Sequence, residues 1–595
     1  MDLLDYYRDN LSYLRGLSAE FAAEYPKIAR RLLLSEFDCM DPYIERLLEG
    51  TAYLSAKVEK KLDDGYYPFL ESVLSSIAPD ALYPVPSGAV LEVFPNTADE
   101  NVRKGTMLKA GTVFETVITG INTPCRFSCA EDTPLAPFSL TRADYISHDV
   151  SGLGIKNNDA ESALCLAFSG PGNGALPLTE AVQLYVTLAE ADVSLLLRLL
   201  AHDTLGVYVK QGDGEYKDVS GVSIDIPMMT GEKLFGIQVK SNPRGLRILQ
   251  NYLTYPDFFK FFRIRGLDAV SAGQGRLELV FAFRRREPAL QALVKTSSIK
   301  LNCVPVLNLF SKRSNRINVE RDAFEFHLVP DRTSMRDYEV AAVRNVDFYD
   351  EKNSLIFSAA NFYDLGSEQK KRNFFSARRR RKLIERHSTA RSTYSGTEVY
   401  LSFGPLEAEA YQFAADLLVT NRDIPLLLQT GAAITSSSLL LLGAAFITLP
   451  TRPNYPLAER GDRDDFGRLS HIVMNLSAML WEEGKRPLEI LRNMLRSYPI
   501  RPAEEMERAI NGITALTSAG DTFRFIRKGA VFYEWGWKIR LILDENAFAG
   551  MGFYIFGRIV SEILRSFTPV NTFLEIHLDT LQSGNIAVWK TLENQ

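Results

Sequence analysis

The sequence contains few of the residues that most often perform catalysis or bind metals. Its 595 residues include only five cysteines and six histidines, and no two histidines are four positions apart. The zinc-protease motif HExxH, the phosphate loop GxxxxGK and the nucleophile elbow GxSxG are absent. Cys125 and Cys129 are four positions apart, but no second pair follows at the spacing of a zinc ribbon. We therefore predict no catalytic residue, no cofactor and no metal site.

A strong net charge and a secretion signal are also lacking. The net charge is -5, so the field of the whole molecule does not favour nucleic acid or an anionic membrane. The first ten residues, MDLLDYYRDN, have neither the basic region nor the apolar core of a signal peptide. A low, odd number of cysteines is typical of a reducing compartment. We therefore expect a cytoplasmic protein whose cores fold without disulfides.

One uncharged segment is long enough to cross a lipid bilayer. Residues 424–451, IPLLLQTGAAITSSSLLLLGAAFITLPT, contain no Asp, Glu, Lys or Arg. Polar side chains interrupt this segment at Gln429 and at residues 435–438, and they make its transfer into lipid less favourable. We predict buried core segments here, with no direct insertion into a membrane.

The hydrophobic pattern changes along the chain and predicts a multidomain α+β protein. Residues 1–80 have the apolar spacing of helices and form the predicted N-terminal helical region. Residues 81–385 are predicted to be a β-rich middle region, because short alternating runs are separated by Gly, Pro and Asn. Residues 386–595 are predicted to be a C-terminal α+β region with βα units, and residues 464–510 within it have helical spacing.

Three segments are predicted to be related strand–helix units. Residues 181–210 have the pattern strand, helix, strand, and residues 538–579 repeat it near the end of the chain. Between them, a strand over 398–404 is followed by a predicted helix over 408–420. The aromatic run VFYEWGWKIRLIL, residues 531–543, is predicted to be part of a hairpin that leads into the last unit.

The clearest helix start is DPYIERLLEG, residues 41–50. Asp41 can cap the free backbone N–H groups, and Pro42 suits the first helical position. The helix is predicted to break at Tyr67-Pro68, before a short fourth helix. Its apolar stripe packs either on helices of the same chain or on another protein. The candidate partner-binding residues are Ile44, Leu47, Leu48, Gly50, Leu54, Val58 and Leu62.

A basic stretch, QKKRNFFSARRRRKLIER, covers residues 369–386. Aromatic side chains among Lys and Arg can bind single-stranded nucleic acid by stacking and phosphate contacts. The alternatives are a solvated linker and a patch that meets an acidic protein. Because the chain is net acidic and has no recognisable nucleic-acid module, we favour these alternatives and predict no nucleic-acid partner.

Several segments together resemble one protein family. They occur in the same order as in that family and span residues 20 to 590, so the resemblance covers nearly the whole chain. The segments are EFAAEYPKIARRL, DPYIERLLEGTAYLSAKVEKKLDDGYYPFLESVL, PSGAVLEVF, GTMLKAGTVFET, CRF, LNCVPVLNLF, EFHLVPD, YEVAAV and IRLILDENAFAGMGFYIFGRIVSEILRSFTPVNTF. The chain is similar to the TssF family, also called VasA or ImpG. These proteins are baseplate subunits of the bacterial type VI secretion system. One departure is Met551, which interrupts the glycine-rich element before the last helix.

The resemblance implies a structural role without catalysis. Proteins of this family pair with TssG in the wedges of a six-fold baseplate that also contains TssE and TssK, with two TssF-like copies per TssG. The baseplate surrounds the VgrG spike and starts assembly of the Hcp tube and the contractile sheath, so the resemblance also allows a contact with Hcp or the sheath. The implied location is the cytoplasm, at the inner membrane through TssK. The competing hypothesis is a cytoplasmic enzyme with an unrecognised site between domains.

Overall fold

The computed structural model of this chain combines helices and strands in two compact units. One unit comprises residues 1–82 with 456–470, and the other comprises residues 83–455 with 471–595. The mixture of helix and strand confirms the predicted α+β class. The structure describes residues 3–31, 41–148, 150–155, 157, 159–170, 180–211, 215–234, 236–238, 243–267, 275–320, 322–363, 373–381, 391–406, 410–438, 440–456, 487–498, 501–527, 530–569 and 572–590.

The first unit is helical in its described residues. It contains α1 (Leu3–Glu24), α2 (Pro26–Arg31), α3 (Pro42–Ile77) and a 3-10 turn at Pro79–Leu82. The predicted break at Tyr67-Pro68 is wrong, because α3 continues past these residues and is 36 residues long. A proline removes one backbone hydrogen bond of a helix but has a φ value that suits it, so a long helix can contain one.

A closed six-stranded barrel begins the second unit. Its core contains Phe114, Phe127, Val304 and Phe446, which are all buried. In barrel order, the strands are β1 (Gly88–Pro95), β17 (Cys303–Leu307), β4 (Cys125–Cys129), β3 (Val113–Thr116), β26 (Ala433–Ser436) and β27 (Leu441–Phe446).

The uncharged segment 424–451 supplies two strands of this barrel. Ile434 of β26 and Phe446 of β27 point into its core. The prediction of core segments is therefore confirmed for one face of these strands, while Leu442 on the other face is exposed. No helix among the described residues has both the length and the apolar character that spanning a bilayer requires.

Two further sheets lie in the region that was predicted to be β-rich. The five-stranded sheet has the order β10 (Lys217–Asp218), β9 (Thr204–Gln211), β15 (Arg276–Phe283), β7 (Ser162–Ser169) and β6 (Ser139–Ile146). The four-stranded sheet has the order β11 (Ser223–Asp225), β14 (Phe261–Arg265), β8 (Ala181–Val186) and β16 (Ile299–Leu301). Smaller pairs are β2 (Met107–Leu108) with β5 (Thr133–Pro134) and β12 (Lys233–Leu234) with β13 (Ile237–Gln238). The helices of this region are α4 (Glu100–Arg103), α5 (Glu190–His202), α6 (Arg244–Thr254) and α7 (Pro288–Leu293).

An eight-stranded sheet contains the middle of the basic stretch. Its order is β18 (Phe310–Arg313), β25 (Gln412–Thr420), β21 (Glu339–Tyr349), β22 (Leu355–Asn361), β23 (Phe374–Arg381), β24 (Thr397–Phe403) and β20 (Phe326–His327), and β19 (Ile317–Asn318) also pairs with β25. The linker interpretation is therefore wrong for 374–381. Arg378 and Arg380 pair with Glu325, and Arg379 donates to the carbonyl oxygens of Val340 and Ala341. The rest of the stretch, apart from Asn373, lies outside the described residues.

The last sheet contains a complete βαβ unit. Its order is β28 (Ile513–Arg527), β29 (Ala530–Leu543), β30 (Phe573–Thr580) and β31 (Gly584–Lys590). Strands β29 and β30 are parallel, and α10 (Phe553–Ser566) connects them. The run 531–543 forms one strand of a hairpin with β28, as predicted. The preceding helices are α8 (Pro487–Arg496) and α9 (Ala503–Asn511), and the predicted helix over 465–483 lies outside the described residues.

The hypothesis of three related βα units is wrong. In the first segment, β8 and β9 flank α5 but belong to different sheets. In the middle segment, residues 412–420 form strand β25 rather than a helix. Both faces of this strand are buried, so its sequence is almost continuously apolar, and such a run does not distinguish strand from helix. Only the C-terminal segment has the predicted arrangement.

The three regions 1–80, 81–385 and 386–595 stay a prediction. Two sheets take strands from both sides of residue 385. The barrel combines β1, β3, β4 and β17 with β26 and β27, and the eight-stranded sheet combines β21 with β25. These pairings join sequence segments that lie far apart.

Candidate partner-binding surface

Helices α1 and α3 pack against each other in opposite directions. Asn10 of α1 donates from Nδ2 to Glu59 Oε2 at 2.7 Å and accepts at Oδ1 from the Ser55 hydroxyl at 2.9 Å. One and a half turns further along α1, Arg15 pairs with Glu45, which lies near the start of α3. Because the contact moves towards the start of α3 as α1 advances, the two helices form an antiparallel hairpin.

The helix start predicted at Asp41 is present. Asp41 has an extended backbone and its Oδ1 accepts a hydrogen bond from the Tyr43 N–H at 2.9 Å. Pro42 is the first helical residue, where no N–H is needed. This cap fixes where α3 begins and therefore which side chains face α1.

The side of α3 that faces α1 buries only small apolar side chains in its described residues. Ala52 and Ala56 are fully buried, and they are the smallest side chains that can fill a helix interface. No described side chain of α1 is buried. Over residues 42–62 of α3, which the structure describes, these alanines are the only buried apolar side chains, although burial of an apolar face supplies most of the stability of helices in proteins.

A stripe of large apolar side chains lies on the other side of α3. Leu47 is 70% exposed, Leu54 64%, Val58 60% and Leu62 70%. At 100° per residue these four positions fall within about 80° of one another and roughly 100° or more from the centre of the alanine face. Contiguous exposed apolar patches on proteins commonly mark interaction sites. We call this set the outer stripe.

The seven predicted residues therefore divide into two groups. Ile44 and Leu48 are half-buried, because they lie at the margin between the outer stripe and the face that meets α1. The four members of the outer stripe are exposed, and Gly50 is exposed beside them. The sequence pattern combined both groups into one stripe because apolar residues cover more than one face of this helix.

No packing contact within the described structure explains why position 50 is a glycine. A Cβ atom placed on it would have no other atom within 4 Å, apart from its own helix backbone and chain neighbours. Glycine in a helix interior is less favourable than alanine by about 1 kcal/mol. The residue therefore weakens α3 without relieving a contact that the structure shows.

Several exposed neighbours of the outer stripe were not among the residues predicted from the sequence. Tyr43 is strongly exposed one turn before Leu47, and Lys57 and Lys61 are exposed beside Val58. On α1, Tyr13 and Leu17 are exposed four positions apart. Their i, i+4 spacing was available in the sequence, but spacing alone does not separate an outward face from an inward one.

The two cysteines whose spacing could suggest a metal site, Cys125 and Cys129, have apolar surroundings. Cys125 and Cys129 are buried in the barrel core, and burial raises the pKa of the Cys129 thiol to about 12. Both therefore stay protonated thiols at neutral pH. In the described ranges, no three His, Cys, Asp or Glu side chains are grouped so that they could hold a metal ion.

An open groove of about 420 Å³ lies on the polar face of the last sheet. Its charged side chains are engaged with neighbours: Arg540 pairs with Asp579, and His577 Nε2 lies 2.6 Å from Glu575 Oε1. Burial raises the pKa of Glu575, but the hydrogen bond with His577 and the nearby lysine charges outweigh it and lower that pKa. This arrangement is typical of a cross-strand charge network on a solvated sheet face.

Comparisons with known proteins identify a consistent set of relatives. A family model described as "Type VI secretion system, TssF" matches residues 1–595. The type VI secretion system component TssF1 of Pseudomonas aeruginosa is 28% identical over 612 aligned positions, which cover 99% of this chain and 98% of that protein.

Two solved structures resemble the fold. A chain of a TssK-TssF-TssG baseplate subcomplex of the type VI secretion system has a TM-score of 0.70 and 21% identity, over 92% of this chain and 98% of that chain. A chain of the baseplate complex from the type VI secretion system has a TM-score of 0.56 and 19% identity, over 99% of this chain and 98% of that chain. At these identities the likeness concerns the fold.

Proposed function

The chain belongs to the TssF family of the type VI secretion system, and we propose that it is a structural subunit of the baseplate wedge. In this role it pairs with a TssG-type chain and a second copy of itself, together with TssE and TssK, around the VgrG spike. The wedge then supports assembly of the Hcp tube and the contractile sheath. We place it in the cytoplasm, at the inner membrane through the assembled baseplate, and we propose no catalysis.

The observation that carries this proposal is the outer stripe of α3. Four large aliphatic side chains are exposed on a helical hairpin whose two helices meet through two buried alanines and the polar contacts of Asn10 and Arg15. Packing a partner against them would remove apolar area from water at roughly 25 cal/mol per Å². One of the solved structures that resemble this fold is a TssK-TssF-TssG subcomplex, which supports TssG and TssK as partners.

The experiment is co-expression of the tagged chain with the TssG-type chain of the same secretion cluster. We expect the double variant Leu47→Asp with Leu54→Asp to reduce capture of that partner at least ten-fold, because two charges would be buried in the interface. Leu442→Asp is the matched control, since Leu442 is equally exposed but lies on the barrel. Unchanged capture by the double variant would refute the outer stripe as the binding surface.

A further inference from the structure

Two residues of the outer stripe, together with Gly50 and Thr51 beside them, form a recess of suitable shape for one bulky side chain. We propose that Leu47, Gly50, Thr51 and Leu54 form this hole and that it receives a large apolar residue from an amphipathic helix of the TssG-type chain. The inference rests on the proposed function and specifies the chemistry of the partner. We call these four residues the α3 hole.

The positions of the four residues give the hole its geometry. They are related as i, i+3, i+4 and i+7, the diamond of residues into which a knob from a facing helix inserts. Leu47 and Leu54 are strongly exposed, and they stand at the two ends of the diamond. Viewed down the helix axis, the average direction of these four positions points to the middle of the exposed face, away from Ala52 and Ala56.

The two side positions of the α3 hole are small. Gly50 has no side chain and is open around its Cβ position. Thr51 donates its hydroxyl to the Leu47 carbonyl oxygen at 2.8 Å, so its polar group is bonded within the helix and its methyl group remains as apolar surface. Two leucines at the ends and two small groups at the sides make a recess rather than a flat surface.

The glycine is otherwise unfavourable where it stands. Nothing within 4 Å of its Cβ position requires it, and helix propensity disfavours it. Close approach of another helix is a reason for a glycine at such a position, because any side chain would occupy the space of the incoming knob. The requirement therefore comes from outside the described hairpin.

The next set of four residues with this spacing along α3 indicates the charge expected on the partner helix. Leu54, Lys57, Val58 and Lys61 have the same i, i+3, i+4, i+7 relation, and both lysines are exposed. Its centre lies seven residues, or roughly 10 Å, from the α3 hole. The partner helix should therefore carry Asp or Glu seven positions from its bulky apolar residue, because a facing acidic group would complement these two cations.

Filling the α3 hole tests the proposal directly. In co-expression with the TssG-type chain, Gly50→Leu should weaken capture roughly ten-fold or more, since the knob loses its space. Gly16→Leu is the matched control, because Gly16 is also an exposed mid-helix glycine with no atom within 4 Å of its Cβ position. Leucine suits a helix better than glycine, so both variants should keep their helix content, measured by circular dichroism.

A charge reversal tests the second part. Lys57→Glu combined with Lys61→Glu should weaken capture of the same chain, and the loss should shrink as salt concentration rises. Wild-type capture by Gly50→Leu would overturn the α3 hole. If Leu47→Asp with Leu54→Asp still abolished capture, the proposed function would stand while this inference failed.

The same variants test whether a second copy of this chain, rather than the TssG-type chain, fills the α3 hole. Sedimentation of the purified full chain measures self-association without the TssG-type chain. If Gly50→Leu altered self-association and left capture of the TssG-type chain intact, the occupant would be a second copy and the proposal would be overturned. We expect the opposite pattern.

Discussion

The hydroxyl of Ser194, on α5, accepts a hydrogen bond from the backbone N–H of Tyr554 at 3.1 Å. The N–H of Ile555 points to the same oxygen at 3.3 Å. These N–H groups belong to the first turn of α10, which has no intrahelical acceptor for them. A serine that is 360 positions away in the sequence therefore caps this helix. The fit is close, because a Cβ on the adjacent Gly552 would lie 2.2 Å from Ser194 Cβ.

Removing this cap should weaken the second unit. We expect Ser194→Ala to lower the free energy of unfolding by about 1 to 2 kcal/mol, since two buried N–H groups lose their acceptor. The midpoint of urea unfolding measures the change. Ser139→Ala is the control: Ser139 is exposed and its hydroxyl donates to the Ser169 carbonyl oxygen at the surface, so its midpoint should hardly move.

Two helical glycines should respond to alanine in opposite directions. A Cβ on Gly245 of α6 would lie 2.4 Å from the backbone of Ile563 in α10, so Gly245→Ala should destabilise by several kcal/mol or prevent folding. Gly16→Ala has open space and should stabilise α1 by about 0.5 to 1 kcal/mol. Thermal unfolding of the two variants tests the contrast. Equal shifts in both would contradict the packing of α6 on α10.

The side chains of the ion pair between Arg501 and Glu190 are almost fully buried. Arg501 Nη2 donates to both Glu190 carboxylate oxygens at 3.1 Å, and its guanidinium carbon lies 4.8 Å from the centre of the Tyr252 ring. We expect Arg501→Met to cost about 3 to 5 kcal/mol, because a carboxylate stays buried without its partner. Chemical denaturation measures this.

A double variant separates the charge from the packing. Arg501→Met with Glu190→Gln removes the uncompensated carboxylate, so it should recover a large part of the stability lost in Arg501→Met. Absence of any recovery would mean that the packing of Arg501 against Tyr252, rather than its charge, stabilises this region.

His202 should make the second unit sensitive to acid. Its Nε2 accepts from Trp589 Nε1 at 3.1 Å, and burial together with the nearby Arg558 charge lowers its pKa to about 4 from an ordinary 6.5. Between pH 6.5 and 4 the unfolded chain binds this proton and the folded chain does not, so stability falls as the pH decreases. The expected loss is about 3 kcal/mol.

Urea midpoints at pH 7 and pH 4.5 measure this effect. His202→Gln keeps an acceptor for Trp589 but cannot be protonated, so its midpoint should change less between the two pH values than that of the wild type. The same change in both proteins would show that other groups cause the acid sensitivity.

Local signals predicted some elements well. The cap at Asp41, the helix after Pro42 and the βαβ unit around α10 follow from capping residues and periodicity, which act over a few positions. The Pro68 break was wrong, because a neighbouring residue sets only a preference and a 36-residue helix can override it.

Other features depend on pairings that no local pattern contains. Strand β25 was predicted to be a helix because burial on both faces removed its alternation. The two alanines and the outer stripe of α3 could be distinguished only once the position of α1 was known. The cap of α10 by Ser194 could not be predicted for the same reason, since its two partners are distant in the sequence.

The barrel also has a consequence for synthesis on the ribosome. Strand β1 pairs with β27, and Leu91 lies opposite Phe446, 355 residues later. At roughly 5 to 20 residues per second, translation takes about 20 to 70 seconds to cover that distance. During this time one edge of β1 has no partner, and an apolar strand edge is a template for pairing with other chains. Nascent molecules of this protein therefore need protection from one another until the chain has passed residue 446.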